Sequence, residues 1–178
     1  MSLPSRSIYL GYNASTPIDP RVAAVMRPLL GTESVLLAAA LGEACAFASD
    51  LRPLEQTRRL RDRLWDGLRV RFGDGVVLNG HPSERLPNTL NVSFVGRVGA
   101  DVLAALDGVA ASTGAACHAD SVELSPVLRA MRVPPVVGMG AVRLSLGRMT
   151  TEPEIDEVLR RCGDPVLADA RLPLSHVF

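Results

Sequence analysis

Lysine is missing from this sequence, and all nineteen basic residues are arginine. A guanidinium stays charged and delocalised at any working pH, so these 178 residues offer no side-chain amine for a Schiff base. The accompanying wealth of Ala, Gly, Val and Leu is what a GC-rich genome produces, and that origin leaves the chemical consequence unchanged. Cysteine is scarce and scattered, because Cys45, Cys117 and Cys162 form no CxxC pair. That spacing excludes a disulfide framework and a zinc site, and no metal centre is expected. Apolar runs are short. The stretch Val35 to Ala40 falls far below the ~20 residues that cross a bilayer. Net charge is absent too: nineteen acidic residues balance nineteen basic ones. No long-range field draws the chain to nucleic acid or to an anionic membrane, and neither is an expected partner. No signal-peptide pattern precedes Ile8, so a reducing cytoplasm is the expected compartment.

What is present reads as one domain with a real core, since the chain is 178 residues long and 47% hydrophobic. Ser7 to Tyr12 is strand-like, and Pro17 and Pro20 turn the chain into a short helix over Val22 to Leu29. Ser34 is placed to cap a helix that runs to about Ser49. Leu60, Leu64, Leu68 and Phe72 recur every fourth residue in the next helix, with Trp65 widening the apolar face. These two helices are expected to pack together. Strands follow at 76 to 78 and 89 to 94, where Leu90, Val92 and Phe94 alternate with Asn91 and Ser93. Gly99 to Leu106 is a short amphipathic helix, and 108 to 111 is a strand that runs into STGAACHAD. Ser125 and Pro126 start another helix. Residues 141 to 146 form a further strand, and Thr151 with Glu154 is a capping box before Ile155, Val158, Leu159 and Cys162. The expected fold class is α+β, a short, mainly antiparallel sheet with helices over one face. Residues 1–30 form an N-terminal segment, 31–162 the main domain and 163–178 an irregular tail.

Several segments, in order, carry a resemblance: IYLGYNASTPIDPRV, GTESVLLAAALGEACAFA, NGHPSERLPNTLNVSF, AASTGAACHADSVELSPVLRAM and AVRLSLGRMTTEPEID. Together they resemble the small, C-terminal-type domain of the cysteine desulfurases and selenocysteine lyases. These are class V aminotransferase-like enzymes of PLP fold type I. Gly11 stands where that family usually has Asp. Between Met26 and Gly31, where the family inserts its large cofactor domain, this chain has only Arg27, Pro28, Leu29 and Leu30.

The resemblance implies an activity: cleavage of the C–S or C–Se bond of cysteine or selenocysteine to give alanine, with a persulfide on Cys117. It implies that Arg143 holds the substrate carboxylate, a task suited to a bidentate fork of N–H donors. Asn13 matches a residue lining the substrate side, and Thr32 one whose hydroxyl reaches the cofactor phosphate of a neighbouring subunit. The implied cofactor is pyridoxal phosphate, which this chain cannot hold covalently for want of lysine. The chain is therefore expected to be inactive alone. It would act as a remnant, a persulfide carrier, a homodimer, or a partner of a full-length homologue, with a sulfur acceptor protein as a further partner. Arg143 competes with a salt-bridge reading, and Arg148 reads as structural. His118 reads as a loop residue, and His81 and Asn88 need no ligand. Cys45 and Cys162 lie on apolar helix faces and are expected in the core.

Overall fold

The computed structural model describes residues 8–13, 16–27, 33–113 and 124–163. In chain order the elements are β1 (Ile8–Tyr9), α1 (Pro20–Met26), α2 (Glu33–Ala48), α3 (Arg52–Phe72), β2 (Val76–Leu78), β3 (Thr89–Phe94), α4 (Gly99–Ala105), β4 (Val109–Ala110), α5 (Pro126–Ala130), α6 (Pro135–Gly138), β5 (Ala141–Ser145) and α7 (Glu152–Arg161). The expected α+β class is what the structure shows. Strands β2, β3 and β5 form an antiparallel sheet in that order, with Val92 opposite Val142 and Leu90 opposite Leu144. Strands β1 and β4 pair in parallel. Single bridges, Gly11 to Ser145 and Ser112 to Arg143, join this pair to the free edge of β5.

One sheet face carries the core. Leu90, Val92, Phe94, Val142 and Leu144 are buried beneath Leu60, Leu64 and Leu68 of α3, Ile155 and Val158 of α7, and Val102 of α4. The spacing of four in α3 aligns its leucines on one stripe, so a single helix covers the sheet along its length. At the start of α7, Glu154 accepts hydrogen bonds from the Thr151 N–H and hydroxyl, both at 2.9 Å. At Gly99 and Gly140 the chain approaches itself too closely for a side chain. An added Cβ would collide with the Ala141 carbonyl oxygen at Gly99 and with that of Phe94 at Gly140. Arg61 is buried on α3 and donates from Nη1 to the Leu86 carbonyl at 2.7 Å, pinning the loop that leads into β3.

Three expectations fail. Helix α2 begins at Glu33, which puts Ser34 inside its first turn rather than at the cap. It lies chiefly against α1, not α3. Cys45 is exposed on it, whereas Cys162 is in the core as expected. The reason is compositional: α2 is apolar on every side, so its periodicity selects no inward face. A turn of helix at α6, held by Gly138 N–H donating to the Pro134 carbonyl at 2.9 Å, was also not predicted.

Two outcomes follow from this core. Leu64→Ala removes a fully buried side chain from the α3 stripe and should lower unfolding free energy by about 3 kcal/mol, read as a reduced urea midpoint at unchanged slope. Burial pushes the Cys162 thiol from 9.0 up to about 11. The folded chain then keeps a proton that the unfolded chain loses. That stability is present in full below about pH 9 and disappears as pH rises toward 11, a loss of about 2–3 kcal/mol. Cys162→Ala should flatten this alkaline limb of the stability profile, and an unchanged limb would exclude Cys162 as its cause.

Candidate functional site

The opposite face of the sheet is polar. In Ala141-Val142-Arg143-Leu144-Ser145 the period of two sends Val142 and Leu144 into the core and turns Arg143 to the other side. Arg143 lies opposite Asn91 of β3 and is bridged on its other edge by Ser112. Ser112 and Arg143 exchange backbone hydrogen bonds at 2.6 and 3.2 Å. The Arg143 amide is thus spent on Ser112, so Asn91 and Arg143 form a non-hydrogen-bonded pair, the arrangement that brings facing side chains closest. One strand further, the Asn79 N–H donates to the Asn91 carbonyl at 2.9 Å. Asn79, Asn91, Arg143 and Ser112 form a polar row across the sheet.

Two groups on this face are buried without partners. Arg143 Nε and Ser145 Oγ are shielded from solvent and make no hydrogen bond, although Ser145 is only 1% exposed. Leaving such groups unmade costs about 1–3 kcal/mol each, more for a charged one. Among the described residues Arg143 has no salt bridge. The neighbouring side chains are amides and hydroxyls, and none of Asn79, Asn91, Ser93, Ser112, Thr89 or Ser145 offers a carboxylate.

Asn13 lies at the margin of this face. Its Nδ2 donates to Thr89 Oγ1 at 2.8 Å, Thr89 Oγ1 donates to Asn88 Oδ1 at 3.1 Å, and Asn88 Nδ2 donates to Asn13 Oδ1 at 2.9 Å. This closed ring ties the segment after β1 to the start of β3. It holds Asn13 one repeat of the strand, about 7 Å, from the row of Arg143. Cys117, His118 and Thr32 lie outside the described residues.

Elsewhere, Arg148 is placed over the Phe47 ring at 4.4 Å, with Arg21 at 3.8 Å from the same ring. His81 Nδ1 accepts from the Glu84 N–H at 2.8 Å within its turn. Sequence reasoning missed Asn79 and Asn91. The alternation of Asn91 with Leu90 and Val92 signalled its face, but only the strand register shows that it stands beside Arg143.

The Aminotransferase class-V family model matches residues 22–158. The chain is 44% identical over 133 residues to Cysteine desulfurase 2 of Trichormus variabilis, covering 73% of this chain and 33% of that protein. It is 41% identical over 145 residues to Cysteine desulfurase NifS of Azotobacter vinelandii, covering 79% of this chain and 36% of that one. A solved NifS-like protein superposes with a TM-score of 0.57 at 30% identity, over 74% of this chain and 33% of its own. One from Rickettsia africae shares the fold at a TM-score of 0.59 and 24% identity, over 74% of this chain and 34% of its own. The chain spans about a third of the length of the curated relatives it matches. With a family match across most of its core elements, this chain belongs to the class-V aminotransferase family.

Proposed function

We propose that this chain is a desulfurase-type small domain that receives the carboxylate of cysteine or selenocysteine on Arg143 and works in the cytoplasm with a second chain that carries the cofactor. The observation that carries this reading is the buried Nε of Arg143, which has no partner on a sheet face where the described residues supply no carboxylate. A guanidinium offers parallel N–H donors that match a carboxylate in plane and spacing.

The family implies pyridoxal phosphate, and the residues present do not fit its covalent attachment. The chain has no lysine, and the amide and hydroxyl face around Arg143 offers no acid to pair with a pyridine nitrogen. A partner is supported by α2, whose Leu37 and Leu41 are 67% and 65% exposed. Apolar surface of this kind is stabilised by cover, from a full-length homologue or from a second copy. Thr32 would then reach the cofactor phosphate in the partner's site, and Asn13 would stand at the margin of the substrate pocket.

Cys117 is assigned as the sulfur acceptor. Its thiolate attacks the terminal sulfur of a donor persulfide. A new S–S bond forms on Cys117 as the donor's S–S bond breaks, and the donor leaves as a thiolate, so no external oxidant is needed.

Incubated with L-cysteine and pyridoxal phosphate alone, the chain should release neither alanine nor sulfide. Incubated with a persulfidated donor protein, it should gain the mass of one sulfur atom on Cys117. Alanine release by the chain alone, or a sulfur found only on Cys45, would contradict the proposal.

A further inference from the structure

The Asn79 side chain has an unusual set of partners. Its Nδ2 donates to Asn91 Oδ1 and to Ser93 Oγ, both at 2.8 Å. An amide nitrogen carries two hydrogens, so both are spent on β3. The consequence falls on Asn91. With its Oδ1 held by Asn79, its own NH2 group is turned away from β2, and no described residue accepts from it. Asn91 and Arg143 are cross-strand neighbours in a non-hydrogen-bonded pair, so that NH2 group stands on the side of the guanidinium. The three strands therefore present a neutral donor beside a cationic one, and the orientation of the first is fixed from the far strand.

We infer that Asn91 is a second donor to the substrate carboxylate and that Asn79 is a positioning residue which keeps the Asn91 NH2 group aimed at it. This rests on the proposed role of Arg143 as the carboxylate fork. A carboxylate has about four lone-pair sites on two oxygens and can accept from both residues at once. A carboxamide in its place has one oxygen acceptor and brings its own NH2 group toward two donors. The pair thus discriminates against uncharged amides as well as holding the anion. Ser93, buried with its Oγ on Asn79, fixes the positioning residue in turn.

The test is a nuclear magnetic resonance titration of the full chain with L-alanine, which carries the carboxylate without a thiol, and with L-alaninamide. Wild type should bind alanine in preference to alaninamide, and Arg143→Gln should abolish the preference. Asn91→Ala should weaken alanine binding by about tenfold, the usual loss of a donor to a charged acceptor. Alaninamide binding should change little. Asn79→Ala leaves both donors in place but frees the Asn91 amide to turn, and should weaken alanine by a smaller factor, about threefold. Should Asn91→Ala fail to fold, the side-chain NH2 resonances of Asn91 in the wild-type chain decide, because a donor to the carboxylate must shift with alanine and not with alaninamide, and NH2 resonances that ignore alanine overturn the inference. Alanine affinity at the wild-type level in the folded Asn91 variant overturns the inference and leaves the role of Arg143 standing. Absence of any preference in wild type removes that role, and the inference with it.

Discussion

The antiparallel pairing of β3 with β5 is the contact on which the rest of the molecule depends. Its register places Val92 against Val142 and Leu90 against Leu144 on one side, and Asn91 against Arg143 on the other. A slip of one residue would exchange the faces, sending Arg143 and Asn91 into the apolar core. Core burial therefore enforces the polar face. The hydrophobic energy that holds α3 and α7 on the sheet also holds Arg143 in place, where its side-chain Nε has no partner among the described residues.

Local chain geometry protects that register. The close approach of Gly99 to the Ala141 carbonyl and of Gly140 to that of Phe94 locks both ends of the turn between β3 and α4 against the start of β5. At the other end, the ring of Asn13, Asn88 and Thr89 fastens the N-terminal segment to the beginning of β3. Helices α1 and α2 stand apart from this arrangement. Among the described residues they contribute no buried side chain to the central cluster, and Val35, Leu37 and Leu41 of α2 are exposed. The sheet with α3, α4 and α7 forms the core, while α2 packs chiefly on α1 and leaves aliphatic side chains exposed.

Much of this was legible in the residues. The spacing of four from Leu60 to Leu68, the alternation through 89 to 94, and the Thr151 to Glu154 cap each appear where the pattern puts them, because each is decided by local periodicity. Arg143 was legible for the same reason, since it interrupts an apolar strand at the outward position. Cys45 was misplaced because a helix apolar on all sides carries no directional signal. The association of α2 with α1 was missed for that reason too. The link from Asn79 to Asn91 could not be read, because it depends on the pairing of strands separated by the loop 79 to 88. Nothing local in the sequence records that register.

If Arg143 receives a carboxylate on the polar face of the sheet, its Nε–H resonance reports it in nitrogen-15 spectra of the full chain, assigned by its loss in Arg143→Gln. Adding L-alanine should shift this resonance and slow exchange of its proton with water, whereas L-alaninamide at the same concentration should leave it in place. A resonance that ignores alanine, or that moves equally with both compounds, would contradict this role for Arg143.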